Sequence, residues 1–173
     1  MMKSKRQIVK SLMGAALVTG ALTVPSKGGT QTVKPASILT GTWTLVAADL
    51  LLPDGRRTHD YGDAPKGLLI IDAEGHYSLQ IYDTTRPKFA SGQKAKGLPA
   101  EYEAAIMGSS VHFGTISVDS TAHIITLNIE QSTYPNQEGT SQKRNYKLEG
   151  DILTYRVPPR PDGAIPVSVW RRA

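Results

Sequence analysis

Eight short strand-like runs, each cut off by turn chemistry, constrain this chain more than any other feature. They fall at Gly41–Leu52, Lys66–Asp72, His76–Tyr82, Val111–Val118, His123–Gln131, Ser141–Leu148, Ile152–Val157 and Val167–Arg171. The turns between them carry Asp54-Gly55, Glu74-Gly75, Asp119-Ser120, Pro135-Asn136 and Gly150-Asp151. Gly takes a positive φ without steric penalty, and Asn and Asp tolerate it while bonding their own backbone. With 16 Gly and 11 Pro in 173 residues, long helices have little room. Eight strands at this spacing make an all-β domain, either an antiparallel up-and-down barrel or a sandwich. One helix is predicted at Pro99–Met107, where Glu101, Tyr102, Glu103, Ala104, Ala105 and Ile106 are mostly fair helix formers. It lies inside the longest connection, residues 83–110. Connections of that length in compact domains tend to be lids or disordered segments.

Successive side chains of a strand point to opposite faces, so residues two apart share a side. In the sixth run Lys143, Asn145 and Lys147 form a solvated face, which turns Gln142, Arg144, Tyr146 and Leu148 inward. By the same rule Leu153, Tyr155 and Val157 share a face, as do His123, Ile125, Leu127 and Ile129, and His112, Gly114, Ile116 and Val118. The implied interior is aliphatic, with a few Tyr, one Arg and one His. Apolar walls with a few orienting polar groups are what a small-molecule pocket needs.

The N-terminus bears on compartment. Lys3, Lys5, Arg6 and Lys10 precede an apolar run from Leu12 to Val24, the pattern of a secretory signal peptide over residues 1–26. Cleavage after Ala21 or Ser26 fits the small residues there, and an uncleaved anchor is the alternative. Residues 27–37, with Gly28, Gly29 and Pro35, read as a flexible linker, and residues 38–173 as the folded domain. The formal charge of +5 would fall to +1 on loss of the leader, which removes the main support for nucleic-acid binding. The chain has no Cys, so neither disulfides nor thiolate metal sites contribute and stability must come from a packed core. These features make the protein exported, periplasmic or secreted, with membrane contact only through the leader before cleavage.

An ordered set of motifs runs from Ile38 to Arg172. It comprises Gly41-Thr42-Trp43-Thr44-Leu45-Val46, Tyr61-Gly62, Pro65-Lys66-Gly67-Leu68-Leu69-Ile70, Gly75-His76-Tyr77-Ser78-Leu79-Gln80 and Arg86-Pro87-Lys88-Phe89-Ala90. It continues with Phe113-Gly114-Thr115, Val118-Asp119, Pro135-Asn136, Gly139-Thr140, Gly150-Asp151-Ile152-Leu153 and Trp170-Arg171-Arg172. The set resembles the bacterial and fungal lipocalin-like domain family, with Gly41-Thr42-Trp43 similar to the lipocalin Gly-x-Trp signature. The resemblance implies an eight-stranded antiparallel up-and-down barrel with one short helix in the long loop. It further implies that Trp43 plugs the barrel floor beneath Arg171 or Arg172, a cation–π contact of about 0.5–2 kcal/mol. The chain departs from the family at His112, where an aromatic residue is common, and at Leu127 and Asn128, where a His pair is common. A His-based site is therefore not carried over.

Arg144, Tyr146, His112, Tyr61, Tyr82 and Arg86 are the candidate ligand-binding residues. Arg144 offers a planar clamp for a carboxylate or carbonyl, His112 a group that titrates near neutrality, and the three Tyr amphipathic rings. Arg86 closes the mouth or anchors the loop. No Gly-x-Ser-x-Gly elbow, phosphate loop or His-Glu-x-x-His occurs, and the four His are widely spaced, so no catalytic residue, metal or cofactor is assigned. The leading reading is a barrel, monomeric or dimeric, that binds a small hydrophobic molecule, with or without an acidic or carbonyl group. The alternative is a cofactor-free cyclase or isomerase acting on a polyketide- or terpenoid-like substrate, with Arg144 on a developing oxyanion. Expressed with its leader in a bacterium, the protein should leave the cytoplasm and lose residues 1–21 or 1–26. Full-length protein held in the cytosol, seen by fractionation and intact mass, would overturn the export assignment.

Overall fold

The predicted runs become strands wherever a turn can be closed locally. In the computed structural model, which describes residues 38–173, β1 (Gly41–Leu51), β2 (Arg57–His59), β3 (Lys66–Ile71) and β4 (His76–Tyr82) precede the long connection. α1 (Pro99–Met107) lies in that connection, followed by β5 (Ser109–Asp119), β6 (Ile124–Ser132), β7 (Ser141–Glu149), β8 (Ile152–Arg156) and β9 (Ile165–Arg172). The leader and the linker lie outside the described residues. The strands form one antiparallel sheet in the order β2-β1-β3-β4-β5-β6-β7-β8-β9, and β1 also pairs with β9. That last pairing closes an eight-stranded up-and-down barrel and leaves no room for the sandwich alternative.

β1 is shared among three neighbours. Gly41–Thr44 pair with β3, Asp49–Leu51 pair with the short β2, and Trp43–Leu51 run along β9 from Arg172 to Ile165. β2 has no apolar residue to announce it. It forms because the buried Asp49 carboxylate accepts from Arg57 at 3.0 Å and pairs with His59 at 3.1 Å, which pins this three-residue segment to β1. A register shift between Leu45 and Ala47 breaks the alternation of β1, so that both Ala48 and Asp49 are buried.

Elsewhere the alternation holds. Arg144 and Tyr146 are buried while Lys143, Asn145 and Lys147 are exposed. Ile125, Leu127 and Ile129 of β6, His112 and Ile116 of β5, and Leu153 and Tyr155 of β8 also face inward. His123 is a correction. It takes a left-handed φ of 55° in the turn before β6 and is exposed, because Asp119 Oδ1 accepts from the backbone of both Thr121 and Ala122 and prolongs the turn. β5 bends at a register shift beside Phe113, where a side chain at Gly114 would strike the Asn128 carbonyl.

The barrel floor is packed around Trp43. Its ring is fully buried, its indole N–H donates to Leu39 O at 2.9 Å, and the Arg172 guanidinium lies 4.1 Å above its centroid. Arg172 also donates to Thr40 O and Ile38 O at 2.8 and 2.9 Å, tying the entry of the domain to its last strand. Gly41 is required here, since a Cβ would meet Arg172 Nη1 and its φ is +132°. Of the two C-terminal arginines, Arg172 makes the floor contact expected from the Gly-x-Trp resemblance. Trp170, Leu39, Ile71 and Leu153 complete this layer, each within 2% of full burial. Trp43→Ala should lose roughly 3–5 kcal/mol of unfolding free energy in urea, the range for emptying a large buried aromatic site. A loss below about 1 kcal/mol would show that the floor does not rest on this ring.

Candidate functional site

Above the packed floor the inward side chains become smaller and more polar, and the lumen opens. Ala48 and Asp49 of β1, Ser110 and His112 of β5, Gln142 and Arg144 of β7, Tyr155 of β8 and Ser168 of β9 line a cavity of about 650 Å³. Leu79, Ile81, Val157 and Val167 supply its apolar wall, and Tyr61, Asp60 and Arg160 stand at its rim. Asp60 is held there by Arg160 at 2.7 Å. Beneath it a void of only about 10 Å³ lies among Leu69, Ile71, Ile116, Ile125, Leu127 and Leu153. Arg144, Tyr155 and Leu79 line both spaces, so the guanidinium sits where the open cavity meets the apolar core.

Arg144 is the unusual group. Its residue is 6% exposed, its Nη2 donates to Gln142 Oε1 at 3.0 Å, and its carbon lies 4.9 Å from the Tyr155 ring centroid. Its Nε has no hydrogen-bond partner, and no carboxylate among the described residues forms an ion pair with it. A guanidinium stays charged at any ordinary pH, so a buried one needs an acceptor to offset its lost hydration. The stacked Tyr155 face and one amide oxygen supply part of that.

His112 faces the same space and is fixed by Tyr77, whose Oη lies 2.8 Å from His112 Nδ1 with the rings edge to face. Burial, and then the positive charge of Arg144, lower the His112 pKa to about 3, so the imidazole is neutral. Burial raises the Tyr77 phenol above its usual range, against the opposing pull of Arg144. Burial first, and the neighbouring Asp60 second, raise Tyr61.

The structure thus brings Arg144, His112 and Tyr61 together around the cavity. Tyr146 is buried in the barrel but turns away from the cavity, its ring 5.7 Å from His123 at the β5–β6 turn and its hydroxyl without a partner. Tyr82 and Arg86 lie outside the lumen. Tyr82 shares the outer face of β4 with His76, Ser78 and Gln80, while Tyr77, Leu79 and Ile81 point in. Arg86 stacks over Tyr82 at 4.7 Å and donates to Asp83 O at 2.8 Å, anchoring the long loop. Asp49, Tyr155, Gln142 and Ser168 line the cavity and Tyr77 backs His112; none of the five was among the sequence candidates. The signal for Tyr77 was its alternation with Leu79 and Ile81, and for Asp49 its position as a carboxylate within an apolar run.

The depressed His112 pKa makes a stability prediction. The unfolded chain binds this proton near pH 6.5 and the folded one only near pH 3, so the contribution is complete above pH 6.5 and is lost as pH falls. Between pH 6 and 4 wild type should lose about 1.4 kcal/mol per pH unit through this group. His112→Gln should remove that part of the slope in urea titrations across the range. Parallel wild-type and variant slopes would mean that His112 ionises in the folded barrel.

A family profile described as a lipocalin-like domain matches residues 40–173. No curated protein matches the chain. Among solved structures, a lipocalin-like protein from Bacteroides uniformis ATCC 8492 is 16% identical, with 78% of this chain and 98% of that one covered and a TM-score of 0.41. A redesigned beta barrel is 12% identical, with 82% of this chain and 97% of that one covered and a TM-score of 0.40. With the profile spanning every strand of the closed sheet, this chain belongs to the lipocalin-like domain family.

Proposed function

We propose that this barrel is an exported binding protein for a small, largely apolar molecule whose acidic or carbonyl oxygen rests on Arg144. The observation that carries the reading is a buried guanidinium at the bottom of a cavity with one amide as its hydrogen-bond acceptor. A volume of about 650 Å³ lies within the range of pockets that take small organic ligands, about 300–1,000 Å³. Its aliphatic wall supports an apolar ligand body, and the Gln142, Tyr155 and Ser168 side chains beside Arg144 offer polar orientation. Export rests on the basic leader and apolar run of residues 1–26 alone.

The cyclase or isomerase reading receives less support from the same residues. Moving a proton at neutral pH favours a group whose pKa lies near 7. His112 is held at about 3, and Tyr77, whose phenol is raised, is turned toward His112. The pair serves better to hold a neutral polar wall beside the guanidinium than to exchange protons with a substrate.

The test uses dodecanoate and its methyl ester as probes. Wild type should bind the carboxylate more tightly than the ester, and Arg144→Met should weaken carboxylate binding by roughly 2–5 kcal/mol, with a smaller loss for the ester, whose carbonyl is an uncharged acceptor. The variant should stay folded or gain slightly in stability, because an under-paired buried charge gives way to an apolar chain. Equal affinities of a folded Arg144→Met variant and wild type for dodecanoate, by calorimetry, would remove Arg144 from the site.

A further inference from the structure

The long connection between β4 and β5 carries features that the lumen does not use. Of the nine exposed large apolar side chains among the described residues, four fall within ten positions: Leu98, Tyr102, Ile106 and Met107. Leu98, Ile106 and Met107 are 62, 51 and 72% exposed. Tyr102 and Ile106 are four apart and share one face of α1, Leu98 is its N-cap residue, and α1 buries none of its residues. The Tyr102 side chain is engaged by the loop, through an edge contact with Phe89 and a hydrogen bond to Lys94 O.

This exposure belongs to a built segment. Glu101 accepts from the backbone N–H of both Leu98 and Ala90, at 2.7 and 2.8 Å, and Gly97 N–H donates to the Tyr102 hydroxyl. The helix is therefore held in place by its own loop while its apolar side chains remain in water. Soluble proteins seldom leave such clusters uncovered without a partner.

Charge indicates the partner. Between Thr84 and Ala100 the chain has Arg86, Lys88, Lys94 and Lys96 and no acid. The three lysines are exposed, and none of the four basic groups forms an ion pair among the described residues. Of the two acids of α1, Glu101 is already occupied in holding the loop. The connection joins Tyr82 to Ser109, at the end of the barrel where Ile81 and Ser110 line the cavity. Tyr134, 55% exposed, lies beyond β6 on the same rim, next to Thr133, whose backbone pairs with Val111.

From the pairing of an unpartnered apolar helix face with a lysine-rich loop, we propose that α1 and its loop dock the barrel mouth on an anionic lipid bilayer. Apolar side chains would enter the interface while Lys88, Lys94 and Lys96 meet acidic headgroups. This membrane contact is separate from the N-terminal leader, and it stands whether or not Arg144 holds a ligand.

The Cys-free chain makes the test direct. Full-length Met107→Cys and Lys147→Cys proteins, each labelled with an environment-sensitive nitrobenzoxadiazole fluorophore, are mixed with phosphatidylcholine vesicles with or without 30% phosphatidylglycerol. The label at 107 should shift to the blue and brighten several-fold with anionic vesicles, and should lose most of that response in 0.5 M salt. The label at 147, on the outer wall, should not respond. Adding Lys94→Glu and Lys96→Glu should weaken the response at 107 by roughly tenfold or more, at about 1 kcal/mol per basic residue near an anionic surface. A silent label at 107, equal responses at both positions, or equal insertion into neutral vesicles would overturn the proposal. So would a blue shift without vesicles that rises with protein concentration alongside a dimer mass by light scattering, which would assign the face to a second copy.

Discussion

Closure of the barrel depends on the seam between its first and last strands. β1 pairs with β9 from Trp43 opposite Arg172 to Leu51 opposite Ile165, and this ladder closes the eight main strands into a barrel, with the short β2 attached beside β1. The seam is locked at the floor, where Arg172 covers the Trp43 ring and takes the carbonyls of Ile38 and Thr40. One cation thus makes a ring contact, two hydrogen bonds and a chain-terminal tether, and Gly41 leaves the space it occupies. Everything the lumen can do follows from having one end shut in this way.

The other end stays open because of side-chain size. Small eight-stranded barrels fill their interior when the inward residues are large, and hold a ligand when they are not. Here the lower inward positions carry Trp43, Trp170, Ile71 and Leu153, whereas the upper ones carry Ala48, Ser110, Gln142 and Ser168. The taper from aromatic floor to small polar rim creates the cavity, and Arg144 lies at its base. Tyr155 links the two levels, stacked on Trp170 with centroids 6.4 Å apart and under the guanidinium of Arg144.

Much of this was legible in the sequence, for identifiable reasons. The eight barrel strands and α1 could be read because alternation and turn dipeptides are local signals, and the inward face of β7 followed from its three outward polar residues. β2 could not be read, because it is held by the contacts of Arg57 and His59 with Asp49 across the hairpin and not by its own pattern. Asp49 itself was hidden by the irregularity that turns two consecutive residues of β1 inward. Tyr82 lies on the outer face of β4, where alternation with His76, Ser78 and Gln80 places it. Tyr146 shows where alternation stops. It pairs directly with Tyr155, yet one leans toward His123 and the other under Arg144, and only the packed structure decides which lines the cavity.

The account centres on a lumen that holds an apolar molecule by an oxygen on Arg144. Native mass spectrometry of the protein purified from its own source addresses that claim without a choice of probe. The expected result is a discrete adduct of a few hundred daltons in equimolar ratio, released on denaturation and identified in negative-ion mode as an organic acid or enol. Folded protein that flies only at its bare mass, with no small molecule recovered after denaturation, would contradict the account.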